Sequence, residues 1–161
     1  MEQIEITEGV ICTDPCYKPD TWCHCVLRDV KPGTWEVAVE ERDIQLWGHR
    51  ITGLRIKHKD YKSKMTNELL SPAIGVDSGQ CGFFDIDYFI RHKEDKEEEN
   101  RWYNRVCDKT LAKPFYGTID GRGVVSESGY GDGAYDLYGR RNKKGELVEL
   151  RVVFITENGN Y

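Results

Sequence analysis

The chain has 161 residues, of which 39% are hydrophobic and 32% charged, and its formal net charge is −5 at pH 7. This length and composition predict one folded domain, residues 1–161, with a very polar surface. No apolar run approaches the roughly 20 residues that a membrane-spanning helix needs, which argues against a membrane partner. The negative charge argues against a long nucleic acid, because phosphate-backbone binding needs a broad basic face, but it leaves room for a small nucleotide.

The first sixty residues carry mostly strand patterns. Residues 4–12 predict a strand that is interrupted by a Glu-Gly turn and then resumes. Residues 22–30 and 35–43 alternate in polarity on either side of a Pro-Gly turn, and this pattern predicts a hairpin. Residues 50–61 predict a further strand, in which Gly53 marks a bulge.

One helical segment interrupts the strand patterns, over residues 86–111. Asp85 or Asp87 can serve as its N-cap, since a carboxylate there accepts hydrogen bonds from the first free backbone N–H groups. Trp102 and Val106 are four residues apart, the spacing that places side chains on one helical face.

The C-terminal third returns to short strands separated by glycine-rich turns. Residues 142–145 predict a four-residue hairpin loop, and residues 148–155 predict its long returning strand. The predicted fold is therefore mostly β, either a β-sandwich or a curled, barrel-like antiparallel sheet, with one principal helix around residues 86–111.

The cysteines favour no metal centre. They are Cys12, Cys16, Cys23, Cys25, Cys81 and Cys107. The first four lack the C-x2-C knuckle that is usual in zinc sites, although His24 lies between the last two of them. The N-terminus also lacks a signal-peptide pattern, which predicts a cytoplasmic protein, and disulfides are disfavoured there. We expect reduced, mostly buried cysteines and no cofactor, with zinc as a minor alternative.

Three short segments combine turn chemistry with unusual polar residues: 13–17, 76–80 and 128–133. Asp before Pro or Gly stabilises a turn by accepting backbone N–H groups, so a purely structural role explains part of this pattern. The alternating glycines of the third segment cost stability in a strand, a cost that is tolerated where a ligand or another backbone approaches closely.

The residues around these segments suggest how a small nucleotide could be bound. Tyrosine rings can stack on bases, carboxylates and amides can read base edges or ribose hydroxyls, and arginines can pair with phosphates. No acid, base or nucleophile stands out as catalytic. The predicted ligand-binding residues are Tyr130, Tyr135 and Tyr138 for stacking, Asp77, Gln80 and Asp132 as polar readers, and Arg140 and Arg141 for phosphate.

Two other functions stay open at this point. Hard oxygen ligands could support a metal-dependent phosphoester hydrolase, although the spacing does not match a calcium-binding EF-hand loop. A protein-binding inhibitor could instead use an edge strand and exposed aromatic side chains. The aspartates considered as metal ligands are Asp77, Asp85, Asp87, Asp132 and Asp136.

Two motifs resemble an uncharacterised bacterial and phage family known as domain of unknown function 4241. They are GVDSGQCGFFD at 75–85 and SGYGDGAYDLYG at 128–139, and the hydrophobic strand 146–154 follows them, so that the resemblance covers residues 75–155. Residues 11–23 resemble the opening of small phage accessory proteins. The resemblance brings no activity with it, but it implies a phage setting. We therefore expect a non-enzymatic anti-defence sponge that sequesters a cyclic or linear nucleotide signal in the host cytoplasm and that can act as a homo-oligomer.

Overall fold

The computed structural model describes residues 2–62, 68–94 and 96–157. Within these ranges the chain forms eleven strands and two helices. In chain order they are β1 (Gln3–Ile6), β2 (Val10–Thr13), β3 (Cys25–Leu27), β4 (Gly33–Ile44), β5 (Gly48–His58), β6 (Glu68–Val76), β7 (Gln80–Asp85), α1 (Ile86–Glu94), α2 (Lys96–Thr110), β8 (Tyr116–Ile119), β9 (Gly123–Glu127), β10 (Gly133–Arg141) and β11 (Leu147–Val153).

The strands form two antiparallel sheets that pack face to face. The six-stranded sheet has the order β1-β4-β5-β11-β10-β6, and the five-stranded sheet has the order β3-β2-β7-β9-β8. Neither sheet closes on itself in the described part of the chain, so the predicted mostly β fold is confirmed in its sandwich form. The core between the sheets is fully buried and includes Trp35, Leu54, Phe83, Val124 and Leu150.

The chain crosses between the sheets at tight turns. The predicted turn after β1 sends β2 into the other sheet, and β6 and β7 separate in the same way. Gly9 makes the first crossing possible, because a Cβ atom there would lie 2.6 Å from the Ile86 side chain and 2.7 Å from the carbonyl oxygen of Leu27. Neighbouring strands in the sequence therefore contribute to both layers of the sandwich.

The predicted hairpin between residues 22–30 and 35–43 is wrong. β3 pairs with β2, whereas β4 pairs with β1 and β5. The Pro-Gly turn does reverse the chain, but the segment before it bonds elsewhere: the N–H of Lys31 donates to the carbonyl of Leu147, and the N–H of Leu147 donates to Asp29. A turn signal specifies a change of direction and leaves the pairing partner to tertiary contacts.

The predicted bulge near Gly53 is confirmed in the long hairpin of β4 and β5. Glu40 pairs with Gly53, but the next residue, Glu41, pairs with Ile51, so that Thr52 is the extra residue. A Cβ atom on Gly53 would lie 3.0 Å from the carboxylate of Glu40. The predicted loop at residues 142–145 also joins two paired strands, β10 and β11.

The predicted helical segment consists of α1 and α2. Both helices cover the outer face of the five-stranded sheet, where Phe89 and Trp102 pack with their ring centroids 5.9 Å apart. Phe84 of β7 contributes a third ring, 5.3 Å from Trp102. Within the described ranges, neither helix is both long and apolar enough to cross a membrane.

The first helix begins at a buried carboxylate, Asp85. Its Oδ2 atom accepts the backbone N–H of Tyr88 at 3.4 Å, which confirms the predicted N-cap. Its Oδ1 atom accepts the backbone N–H and the hydroxyl of Thr7 at 2.8 and 2.9 Å, and its Oδ2 atom forms an ion pair with Arg122. One side chain therefore links the N-terminal strand, the helix start and the β8–β9 turn.

We expect the substitution Asp85→Asn to lower the free energy of unfolding by about 2 kcal/mol, because it leaves the largely buried Arg122 without a counter-charge. Urea denaturation measures this loss. Asp87→Asn is the matched control, since Asp87 is an exposed acid in the first turn of the same helix. Equal effects of both substitutions would contradict the structural role given to Asp85.

Candidate ligand-binding site

The first two polar segments are joined by the carboxylate of Asp14, which is fully buried. Its Oδ1 atom accepts the backbone N–H of Cys16 at 2.8 Å and the hydroxyl of Ser78 at 2.7 Å. Its Oδ2 atom accepts the backbone N–H groups of Asp77 and Ser78 at 2.8 and 2.7 Å. A single carboxylate thus satisfies four donors and fixes the two loops to each other.

The third segment, residues 128–133, contacts the second segment through its backbone. The N–H of Ser128 donates to the carbonyl of Gly79 at 3.1 Å, and Gln80 pairs directly with Glu127 across β7 and β9. The hydroxyl of Ser128 donates to the carbonyl of Gly131 at 2.8 Å and closes its own loop. The three segments therefore form one surface region, which we call the corner: residues 13–17, 76–80 and 128–133.

The glycines of the third segment have backbone explanations. Gly129 has a φ of +64°, and a Cβ atom there would lie 2.8 Å from Ile155 and 3.0 Å from Phe154. Gly131 has a φ of +118° with open space around it. Both conformations strongly favour glycine, so the spacing of these residues is explained by the turn without a ligand.

Two of the predicted ligand-binding residues lie inside the protein. Gln80 is only 5% exposed; its amide oxygen accepts the hydroxyl of Thr110 at 2.8 Å, and its amide nitrogen donates to the sulfur of Cys107 at 3.7 Å. Tyr135 is 1% exposed and packs edge-on against Phe154 at 5.2 Å. Their side chains connect the corner to α2 and to the core.

Three predicted residues are accessible at the corner: Asp77, Tyr130 and Asp132. Val76 and Gly133 form the last register pair of β6 and β10, so Asp77 and Asp132 continue from the same end of that ladder. Both are exposed, whereas Tyr130 is half-buried. The structure therefore brings together two of the residues predicted to hydrogen-bond to a base or ribose and one of the three predicted stacking residues.

A hairpin tip lies beside Tyr130. The ring centroids of Trp47 and Tyr130 are 5.8 Å apart in an edge-to-face arrangement, and the guanidinium of Arg50 is 6.0 Å from the Tyr130 centroid. Arg50 donates to the carbonyl of Trp47 at 2.9 Å and to that of Gly129 at 3.5 Å, so it ties the two loops together. We call this surface, formed by Leu46, Trp47, Arg50 and Tyr130, the aromatic patch.

The aromatic patch contains residues that the sequence interpretation did not select. Leu46 is fully exposed with a φ of +65°, and Trp47 is 61% exposed. The composition of the turn could have identified this surface in the sequence. Hairpin turns usually carry Gly, Asn, Asp or Ser, whereas this turn carries Leu and Trp next to each other. Large apolar side chains at such a tip indicate a contact surface.

Tyr138 lies on the outer face of the six-stranded sheet. It lines a groove of about 480 Å³ together with Arg42, Glu40 and Arg151. Glu40 accepts two hydrogen bonds from Arg151 and thereby raises the pKa of that guanidinium. The hydroxyl of Tyr138 donates to Asp136 at 3.3 Å.

The two predicted phosphate-binding arginines lie next to each other on β10, opposite a bulge in β11 at which Val148 is the extra residue. Arg140 pairs in register with Glu149, and its Nε atom is buried without a hydrogen-bond partner among the described residues. Arg141 donates to Asp29 at 2.5 Å and to Glu68 at 3.1 Å, and the bond to Asp29 raises its pKa. The acids around Arg141 compete directly with any phosphate.

The aspartates and cysteines considered as metal ligands do not form a metal-binding cluster in the described part of the chain. Among the described residues, no group of three or more His, Cys, Asp or Glu side chains is arranged to hold a metal ion. Asp85 is engaged by Arg122. Of the N-terminal cysteines, Cys12 lies opposite Cys25, whereas a Cβ atom on Gly75 would lie 2.8 Å from the sulfur of Cys23.

We expect Asp14→Ala to lower the free energy of unfolding by about 3 kcal/mol, because it leaves three partly buried backbone N–H groups without their acceptor. Asp77→Ala is the control: its side chain is exposed, and its backbone N–H keeps its bond to Asp14, so we expect a change within about 0.5 kcal/mol. Urea denaturation compares the two variants, and a fully stable Asp14→Ala protein would contradict this role.

A protein-family model matches most of the chain. The family model described as "Protein of unknown function (DUF4241)" matches residues 6–152. The match includes both motifs at 75–85 and 128–139, and it extends over the N-terminal strands as well. No curated protein and no solved structure matches the chain. Because the family model covers most of its length, the chain belongs to the DUF4241 family.

Proposed function

We propose that the chain is a non-enzymatic binding protein that holds a small nucleotide at the aromatic patch and the adjoining corner. The observation that carries the proposal is the group of Trp47, Tyr130 and Arg50, in which an exposed indole, a phenol ring and a guanidinium lie side by side. Aromatic faces and a cation are the two elements that bases and phosphates require.

The indole of Trp47 provides the stacking surface in this proposal. It is 61% exposed, and its contact with Tyr130 is edge-to-face. Because Arg50 holds the backbone of both loops, the two rings are positioned before a ligand arrives. Stacking of a base on such a ring contributes roughly 1–3 kcal/mol, and a preformed site loses little of this to ordering.

The charges around the patch suggest an orientation for the ligand. The phosphate lies nearest Arg50, since the exposed carboxylates of Asp77 and Asp132 repel it. These carboxylates accept hydrogen bonds from ribose hydroxyls or from exocyclic amino groups of the base. The proposal thus retains Asp77, Tyr130 and Asp132 as contacts and adds Trp47 and Arg50.

The polar groups of the corner favour binding over turnover. Asp14 accepts four hydrogen bonds, Ser78 donates its hydroxyl to Asp14, and Ser128 donates its hydroxyl to Gly131. Each of these groups already holds a loop in place. A group that must act as a nucleophile or a base would have to give up such a bond.

Sequestration is the biological role that fits a binder of this kind. We place it in the bacterial cytoplasm as a phage-encoded anti-defence protein that holds a cyclic or linear nucleotide signal intact. The phage setting is suggested by the likeness of residues 11–23 to small phage accessory proteins. A homo-oligomer would bring two aromatic patches to one multivalent ligand and raise its avidity.

A second candidate function, binding of a protein partner, is favoured by Leu46. This side chain is fully exposed beside Trp47 and has no role in the core. An apolar pair at a hairpin tip can insert into a pocket of another protein. This candidate predicts that Leu46 contributes to binding, whereas base stacking depends on the rings.

β6 lies at an edge of the six-stranded sheet but is poorly suited to pair with a strand of a partner protein. Pro72 has no N–H group, and the N–H of Ala73 donates to the hydroxyl of Ser71 at 3.4 Å. The N–H of Gly75 donates to the carbonyl of Cys23 at 2.8 Å. These donors are therefore not available to an added strand.

Thermal unfolding against linear nucleotides and cyclic di- and trinucleotides tests the proposed function. One nucleotide at 100 times its dissociation constant should stabilise the protein by about 2.7 kcal/mol and be recovered uncleaved. Trp47→Ala should weaken its binding at least tenfold, since about 1.4 kcal/mol of stacking is lost.

Trp22→Ala is the matched control, because Trp22 is 89% exposed and lies outside the aromatic patch. It should bind as the parent protein does. A panel with no binder would contradict the proposal, and recovery of a cleaved nucleotide would replace the sponge with an enzyme. Loss of partner binding on Leu46→Ala, with no response to any nucleotide, would favour the second candidate.

A further inference from the structure

Two cysteines face each other across the first strand pair of the five-stranded sheet. Cys12 of β2 and Cys25 of β3 are register partners in an antiparallel ladder. Directly opposed residues point to the same face of a sheet, and both side chains contact the core between the sheets. The six cysteines are all reduced in this structure.

We propose that Cys12 and Cys25 form a reversible disulfide, a modification site independent of the proposed nucleotide binding. Opposed residues in an antiparallel pair have Cα atoms about 4.5 or 5.5 Å apart, depending on their hydrogen bonding. Disulfides span Cα separations of about 4.4–6.8 Å. The backbone separation of opposed residues therefore falls within the range that a disulfide spans.

The position of β3 explains how an oxidant reaches the pair. β3 is an edge strand, so Cys25 is only partly buried, whereas Cys12 is fully buried. A small disulfide oxidant such as oxidised glutathione meets the thiolate of Cys25 first, forming a mixed disulfide and releasing one glutathione thiolate. Cys12 then loses its proton to that thiolate, attacks the sulfur of Cys25 and expels the second glutathione as a thiolate, which takes up from water the proton that Cys25 released. The two protein thiols are oxidised, and one glutathione disulfide is reduced to two thiols.

The surroundings of the two sulfurs make this exchange slow at neutral pH. Burial raises the pKa of both thiols, and contacts with Cys81 and Asp29 raise the pKa of Cys12 and Cys25 respectively. A raised pKa lowers the thiolate fraction, and only the thiolate attacks a disulfide. The rate of closure therefore increases as the pH rises.

The disulfide would close a short loop that contains Asp14, the residue that holds the loops of the corner together. Residues 13–24 lie between the two cysteines and include Asp14, whose carboxylate holds the loops of the corner. A cross-link at the base of this segment limits its freedom in the unfolded chain. Oxidation therefore stabilises the segment that carries Asp14.

Equilibration of the full chain in glutathione buffers of increasing oxidised fraction tests the proposal. After acid quenching and alkylation of the free thiols, cleavage after Asp20 separates the two cysteines, and mass spectrometry identifies linked peptides. We expect a Cys12–Cys25 link that disappears with excess reductant. The oxidised protein should unfold several degrees higher than the reduced one.

A Cys16→Ser/Cys23→Ser variant is the control, because Cys12 and Cys25 are then the only cysteines of the first 25 residues. It should form the link and show the same rise in unfolding temperature. Cys25→Ser, at a partly buried position, should abolish both. A link between Cys12 and Cys81, no link at any glutathione ratio, or unchanged oxidation in Cys25→Ser would overturn the proposal.

Discussion

The buried carboxylate of Asp14 is the interaction on which the candidate site depends. It neutralises no cation among its described contacts; it accepts four hydrogen bonds from two loops that are more than sixty residues apart in the sequence. The cost of burying a charge is offset only while all of these donors stay in place. This requirement fixes the turn between β6 and β7. The same turn positions the loop of residues 128–133, because the N–H of Ser128 donates to the carbonyl of Gly79.

In the corner and the aromatic patch, one set of residues holds the loops in place and a different set is exposed to a ligand. Asp14, Gln80 and Tyr135 are buried and bonded within the protein. Trp47 and Asp132 are exposed to solvent on hydrogen-bonded turns. Such a division is what a preorganised binding surface requires, because ligand contacts keep their geometry only when a second set of residues holds them. The outer groove with Tyr138 is a separate surface, dominated by paired charges.

The sequence predicted local features of the fold better than long-range ones. Alternation and turn residues predict the strands, the bulge at Gly53 and the N-cap at Asp85, because these depend on neighbours in the chain. The supposed partner of β3 was wrong, since pairing depends on which strand completes the core. At the site, a tyrosine at 130 and one at 135 look equivalent in the sequence, yet one lies at the surface and the other in the core. Arg141 is engaged by acids 112 and 73 residues away, and Trp47 approaches Tyr130 only in the folded chain.

The tryptophan indole N–H signals in an NMR titration test the central claim most directly. The chain has four tryptophans, of which Trp35 and Trp102 are buried with their indole N–H groups bonded to carbonyls, while Trp22 and Trp47 are exposed at different places. On addition of a nucleotide that stabilises the protein, the account predicts a shift of the Trp47 signal and little change in the other three. A shift confined to Trp22, or a stabilising nucleotide that leaves Trp47 unchanged, would contradict binding at the aromatic patch.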